Sequence, residues 1–132
     1  AWVLLDARER GGRAPSLADI APLTLPVVLK PNSEGSSVGL TVVREEPELA
    51  AAFAKAAACE PWVLVERYIE GREVTVAVLN GTAYPIVEIV PHSGLYDYEA
   101  KYTKGKSTYV CPAELPGAVR QDASDVHLRL RR

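Results

Sequence analysis

The chain has 132 residues, 48% of them hydrophobic, with 15 Lys plus Arg against 17 Asp plus Glu, a net charge of −2. That apolar content excludes a wholly disordered protein, and the absence of a basic excess speaks against a nucleic-acid binder that displaces counterions from phosphates. No apolar run reaches the roughly 18 residues a membrane-spanning helix needs. One domain, or a piece of a larger one, is expected. The chain opens Ala1-Trp2-Val3-Leu4-Leu5-Asp6, without Met and without the basic and apolar regions of a signal peptide, so an internal fragment is expected. Cys59 and Cys111 fit neither a disulfide framework nor a CxxC pattern and read as free, buried thiols in a reducing cytosol.

In chain order, residues 1–24 hold a short apolar start, the charged run Arg8–Arg13, and a helical stretch Ser16–Ala21 that the Ser16 hydroxyl is placed to cap. Leu25–Lys30 is a buried strand stopped by Pro31. The polar, flexible stretch Asn32–Gly39 follows, then a strand at Leu40–Val43. Glu48–Ala58 is the clearest helix: alanine-rich, with Leu49, Phe53, Ala56 and Ala57 on one face, and ended by Pro61. Trp62–Glu66 is another strand, and Ile69–Glu73 a turn. Val74–Leu79 and Ala83–Val90 are strands around Asn80-Gly81, a strong hairpin signal because both residues tolerate positive φ. Residues 92–112 read as an aromatic, charged loop. The fold class is α+β, with antiparallel hairpin-linked strands and one or two helices on a face.

Three segments carry possible chemistry. Lys30 ends a strand just before the glycine- and serine-rich loop. A compact cation beside a backbone that phosphate oxygens can approach closely suggests a phosphate cradle. A solvated strand-end lysine before an ordinary surface loop satisfies the same residues. Gly105-Lys106-Ser107 is not a Walker A loop, since Ala100 stands where that motif requires glycine. The second segment is Glu66-Arg67-Tyr68-Ile69 with Glu73 beyond it. A carboxylate after a strand, then apolar residues, could form an adenine slot, and Glu73 could accept from ribose hydroxyls; ordinary surface ion pairs are the alternative. In the third, Leu95–Tyr102, three tyrosines, two acids and a lysine fall within eight residues. It offers hydroxyls, carboxylates and a cation to one site, or is a tyrosine-rich surface turn. His92 and His127 are isolated, and no Ser/His/Asp set or zinc spacing can be assembled.

Together these stretches resemble the D-alanine–D-alanine ligases of the ATP-grasp superfamily. The residues that carry the likeness are LPVVLKPNSEGSSVG (25–39), VLVERYIEGREVTVAVLNG (63–81) and GLYDYEAKYTKGKSTYVCPAEL (94–115), in that order. The resemblance implies a central ATP-grasp subdomain over residues 1–90 and the start of the C-terminal catalytic subdomain over 91–132, with ATP between two antiparallel sheets. It implies that Lys30 binds the α- and β-phosphates and that the loop of Glu34, Gly35, Ser36, Ser37, Val38 and Gly39 closes over them. Glu66, Arg67, Tyr68 and Ile69 would line the adenine pocket, and Glu73 would hold the ribose. Lys101 would meet the transferred phosphate, and Ser36 and Tyr102 would help fix the first D-alanine and the closed loop.

The implied reaction phosphorylates one D-alanine to an acylphosphate, which the amine of a second attacks, for peptidoglycan precursor synthesis in the cytoplasm. Positioning and charge neutralisation are what such a phosphoryl transfer requires of its protein. The family places its Mg²⁺ ligands, an Asp and then Glu-x-Asn, far downstream of CPA. Asp125–Arg132 shows no such motif, so this chain is expected not to catalyse alone. The tail after Pro116 departs from the expected helical continuation. The parent is expected to be a homodimer acting on ATP and D-alanine. A D-alanyl-D-lactate or D-alanyl-D-serine ligase, or a noncatalytic nucleotide-binding module, are the other readings.

Overall fold

The computed structural model describes residues 1–120. They belong to two compact units, Ala1–Glu70 and a second beginning at Gly71. The expected subdomain boundary after Val90 falls within a strand of the second unit.

The first unit is one four-stranded antiparallel sheet with a helix on one face. Its strands are β1 (Trp2–Asp6), β2 (Val27–Pro31), β3 (Thr41–Val43) and β4 (Trp62–Arg67), ordered β1-β4-β2-β3, and its helix is α1 (Leu49–Ala57). The two-residue period of the strands sorts the side chains. Val27, Leu29, Val63 and Val65 lie buried on the side that α1 covers with Leu49, Ala52, Phe53 and Ala56. The opposite face carries Leu4, Val28, Lys30, Leu64 and Glu66, fixed by the pairings Leu4↔Leu64, Val28↔Glu66 and Lys30↔Leu64.

Several sequence expectations shift here. The apolar start is a full strand, β1. The second strand runs to Pro31 rather than stopping before it, because the ladder continues through its neighbour: the Asn32 amide donates to the Trp62 carbonyl at 2.9 Å. Ser16–Ala21 forms a short 3-10 helix, Leu17–Ile20, opened by a capping box between Ser16 and Asp19, in which the Ser16 hydroxyl also donates to the Asp19 carboxylate at 2.7 Å.

The second unit holds β5 (Glu73–Thr75), the two-stranded hairpin β6 (Val78–Leu79) and β7 (Thr82–Ala83), β8 (Val87–Pro91), helix α2 (Tyr98–Tyr102) and β9 (Ser107–Val110). β5, β8 and β9 form a three-stranded antiparallel sheet in the order β5-β8-β9. The Asn80-Gly81 turn is as expected: φ is 49° and 75°, as a primed hairpin turn requires. The two long strands expected around it are each broken in two, since Pro85 has no N–H for a ladder. The expected loop at 92–112 contains both α2 and β9. Asp97 starts the helix, its carboxylate accepting from the Ala100 amide at 2.9 Å. Residues 117–120 are helical, contrary to the departure expected after Pro116; residues 121–132, where Asp125, His127 and the basic end lie, are outside the described part. Cys59 and Cys111 are free but exposed, not buried, because each falls in a turn just past an element's end.

Candidate functional site

In the first unit, Lys30 and Glu66 form an ion pair on the sheet face opposite α1. Lys30 lies opposite Leu64 and Val28 opposite Glu66, so the two charges are diagonal neighbours across β2 and β4. Both side chains are about one-third exposed, at 35% and 38%. Trp2 pairs with Glu66 on the outer strand and is exposed, and Trp62 stands further along the same face, so the ion pair sits on an open apolar floor.

The loop that follows Lys30 is held at its root and strained at its tip. The Ser33 amide donates to the Glu60 carboxylate. Ser36 and Ser37 have φ of 56° and 60°, left-handed values that cost a non-glycine residue roughly 1–2 kcal/mol each. The Val38 amide closes this turn onto the Gly35 carbonyl at 3.1 Å. Gly39 also has positive φ, 69°, and a Cβ there would stand 2.8 Å from Pro31 Cγ and 3.1 Å from Cys59 Sγ. Only glycine fits. Such strain is characteristic of ligand-clamping turns. Glu34 and Gly35 are exposed, whereas Ser36, Ser37 and Val38 are half-buried.

Beyond β4 the predicted adenine residues separate. Tyr68 is half-buried, its amide donating to the Pro26 carbonyl at 3.1 Å, with the Arg44 guanidinium 5.2 Å from its ring centre. Arg67 is exposed, and Ile69 is 75% exposed.

In the second unit, Glu73, Lys101 and Tyr102 gather around Tyr96. Glu73 pairs with Ile89 on β8, and Ile89 pairs with Tyr109 on β9, so Glu73 and Tyr109 share a sheet face. The Tyr109 and Tyr96 hydroxyls are 3.3 Å apart, and the Lys101 ammonium lies 5.2 Å from the Tyr96 ring centre. The Tyr96 phenol is held above its ordinary pKa, first by the hydrogen bond with Tyr109, then by partial burial and by the nearness of Tyr109, Tyr102 and the Glu73 carboxylate. The Tyr98 and Tyr102 rings pack tilted at 48° on α2, their centres 4.8 Å apart.

Sequence reasoning missed Tyr109, Arg44, Glu60 and Trp2, whose roles come from strand register and long-range contact. A cavity of about 550 Å³ in the second unit, lined by Tyr84, Pro85, Ile86 and Arg120 among others, contains none of the predicted site residues.

A family profile described as "D-ala D-ala ligase C-terminus" matches residues 4–131. The chain belongs to that D-alanine–D-alanine ligase family. It is 47% identical over 102 residues to the D-alanine–D-alanine ligase of Syntrophotalea carbinolica, covering 74% of this chain and 33% of that protein. To the ligase of Novosphingobium aromaticivorans it is 42% identical over 130 residues, covering 92% and 41%. It therefore spans between one-third and about two-fifths of these ligases' length. Among solved structures it is similar to the D-alanine–D-alanine ligase of Bacillus anthracis, with a TM-score of 0.70 at 28% identity over 98% of this chain and 42% of that one. It is equally similar to the VanG D-Ala:D-Ser ligase of Enterococcus faecalis, with a TM-score of 0.70 at 29% identity over 97% and 38%. The ATP-grasp fold expected from the resemblance, with its antiparallel sheets and packed helix, is the fold these ligases share with the chain.

Proposed function

We propose that this chain is the nucleotide-handling part of a cytoplasmic enzyme that joins two D-alanines at the expense of ATP, through an acylphosphate, for peptidoglycan precursor synthesis. The observation that carries the proposal is the Lys30–Glu66 pair on an open apolar sheet face, beside a strained loop rooted at a sterically obligatory glycine. A cation suited to polyphosphate thus adjoins a carboxylate suited to an exocyclic amine, on a floor suited to a flat ring.

In this reading Lys30 neutralises the α- and β-phosphates, and the Glu34–Val38 loop covers them with backbone amides. Glu66, with Arg67, Tyr68 and Ile69, receives the adenine, and Glu73 accepts from the ribose. Lys101 neutralises the phosphate being transferred. Ser36 and Tyr102 orient the first D-alanine. The loop keeps water from the acylphosphate. A solved ligase structure from Bacillus anthracis, described as complexed with ATP, has a TM-score of 0.67 to this chain at 22% identity and supports the fold alone.

Mg²⁺ belongs to the proposal only as an ion whose ligands lie elsewhere. Among the described residues no three His, Cys, Asp or Glu side chains are grouped to hold a metal, and no step here passes through one. No helix among the described residues is long and apolar enough to cross a membrane. The parent is proposed to be a homodimer with no nucleic-acid partner. D-serine as second substrate stays a second reading, because the likeness to VanG equals that to the Bacillus anthracis ligase.

Trp2 and Trp62 flank the ion pair, so ATP binding to the chain is expected to change their fluorescence. Lys30→Ala is expected to weaken ATP binding by about 10- to 100-fold, the value of a charged hydrogen bond. An affinity for ATP unchanged by Lys30→Ala would overturn the reading.

A further inference from the structure

We propose that Tyr109 is a positioning residue for Lys101, acting through Tyr96. Tyr109 is fixed by the sheet: it pairs with Ile89 on β8, which is only 8% exposed. Tyr96 lies on the segment leading into α2, a connection without a ladder of its own. The hydroxyl–hydroxyl contact at 3.3 Å ties that segment to the rigid strand. The Tyr96 ring in turn presents its face to the Lys101 ammonium 5.2 Å away, inside the range at which a ring quadrupole attracts a cation. The brace therefore runs from strand to phenol to phenol to ammonium.

The raised pKa of Tyr96, caused first by the Tyr109 hydrogen bond, agrees with this contact between two neutral phenols. Glu73, on the same sheet face, adds a carboxylate that disfavours a phenolate and not an ammonium. The inference rests on the proposed role of Lys101 only for its functional meaning. The positioning itself is a property of this unit.

The test is nuclear magnetic resonance of the 132-residue chain, reading the Lys101 ε-methylene signals. A methylene over an aromatic face is shielded, so in the unaltered chain these signals are expected upfield of a solvated lysine. Tyr109→Phe, which keeps the ring and removes only the hydroxyl, is expected to move them back toward the solvated value. The amide spectra of β5 and β8 away from Ile89 should keep their strand pattern. Tyr96→Phe deletes the same hydrogen bond from the other side and is expected to reproduce the shift, and Tyr96→Leu to abolish the shielding. Should Tyr96→Leu fail to fold, the two phenylalanine variants carry the test. A Lys101 signal that ignores both would overturn the proposal. An ATP titration of a Lys101→Ala variant reads the nucleotide role separately: no effect on ATP would strike at that role and leave the shielding result standing.

Discussion

The two units are held by different means. The first buries a connected cluster of apolar residues, from Leu5 through Ile20, Leu29 and Phe53 to Val65, between one sheet face and α1. In the second, the buried apolar residues among those described are Ile86, Ile89, Ala100 and Ala113. Val74, Val90 and Val110 stand on one face of its sheet, 37–42% exposed. Polar ties take over. Arg72 pairs with Glu88 and donates to the Glu114 carbonyl at 2.8 Å, and the Ser107 hydroxyl donates to the Ala100 carbonyl at 2.7 Å. Hydrophobic burial stabilises roughly in proportion to area, whereas each such hydrogen bond contributes only about 0.5–1.5 kcal/mol net. The difference teaches that the proposed polyphosphate cation, Lys30, stands on the well-packed scaffold. The proposed transfer cation, Lys101, depends on directional contacts.

The largest effect should come from that scaffold. Leu29 is fully buried, and Leu29→Ala is expected to cost about 2–5 kcal/mol in denaturant unfolding followed through residues 1–70. A loss under about 1 kcal/mol, the size of an ordinary surface change, would break the contrast. A pair of glycines sharpens it. Gly39→Ala must strain the backbone and displace Pro31, whereas Gly105, with φ of 81°, has nothing within 4 Å of an added Cβ. Gly39→Ala is expected to cost about 1–3 kcal/mol beyond the roughly 1–2 kcal/mol of left-handed conformation that Gly105→Ala also bears. Equal melting shifts for the two would show that the crowding at Gly39 relaxes freely.

The smallest effect is acid-dependent. Asp19 accepts from Arg10 and from the Ser16 amide and hydroxyl, and these bonds, that of Arg10 first, hold its carboxyl well below the usual carboxylate range. A lowered folded pKa stabilises above the unfolded value of about 3.9, and the benefit fades as pH falls from there toward the folded pKa. Asp19→Asn should therefore melt earlier than the parent at neutral pH, with the gap narrowing below about pH 4. A gap that stays constant down the acid range would remove Asp19 from the scaffold's support.

Much of the first unit was legible because its signals are local. The continuous apolar runs at β2 and β4, the alanine-rich α1 and the Gly/Ser loop each follow from a few adjacent residues. The Asn80-Gly81 hairpin was legible for the same reason. Strand β1 was hidden because five residues near a chain end carry little periodicity until β4 pairs with them. Helix α2 and β9 were hidden by a tyrosine- and charge-rich composition that favours neither element. Lys30 and Glu66 could be named from the sequence, but their meeting depends on register, as does the placing of Glu73 and Tyr109 on either side of Ile89. The exposure of Cys59 and Cys111 depends on where elements end, which residue type does not encode.

The ion pair on the open face of the first sheet has one more implication. The ammonium at the end of β2 is already neutralised by Glu66 before any ligand arrives. Under the proposed function, an incoming polyphosphate would not fill a bare charge; it would displace a resident carboxylate, which would then need a new donor. A molecule bringing both an anionic tail and an amine compensates both halves of the opened pair, while a simple inorganic anion compensates only one. Selection by exchange of this kind would favour a nucleotide over the phosphate and salts that surround it.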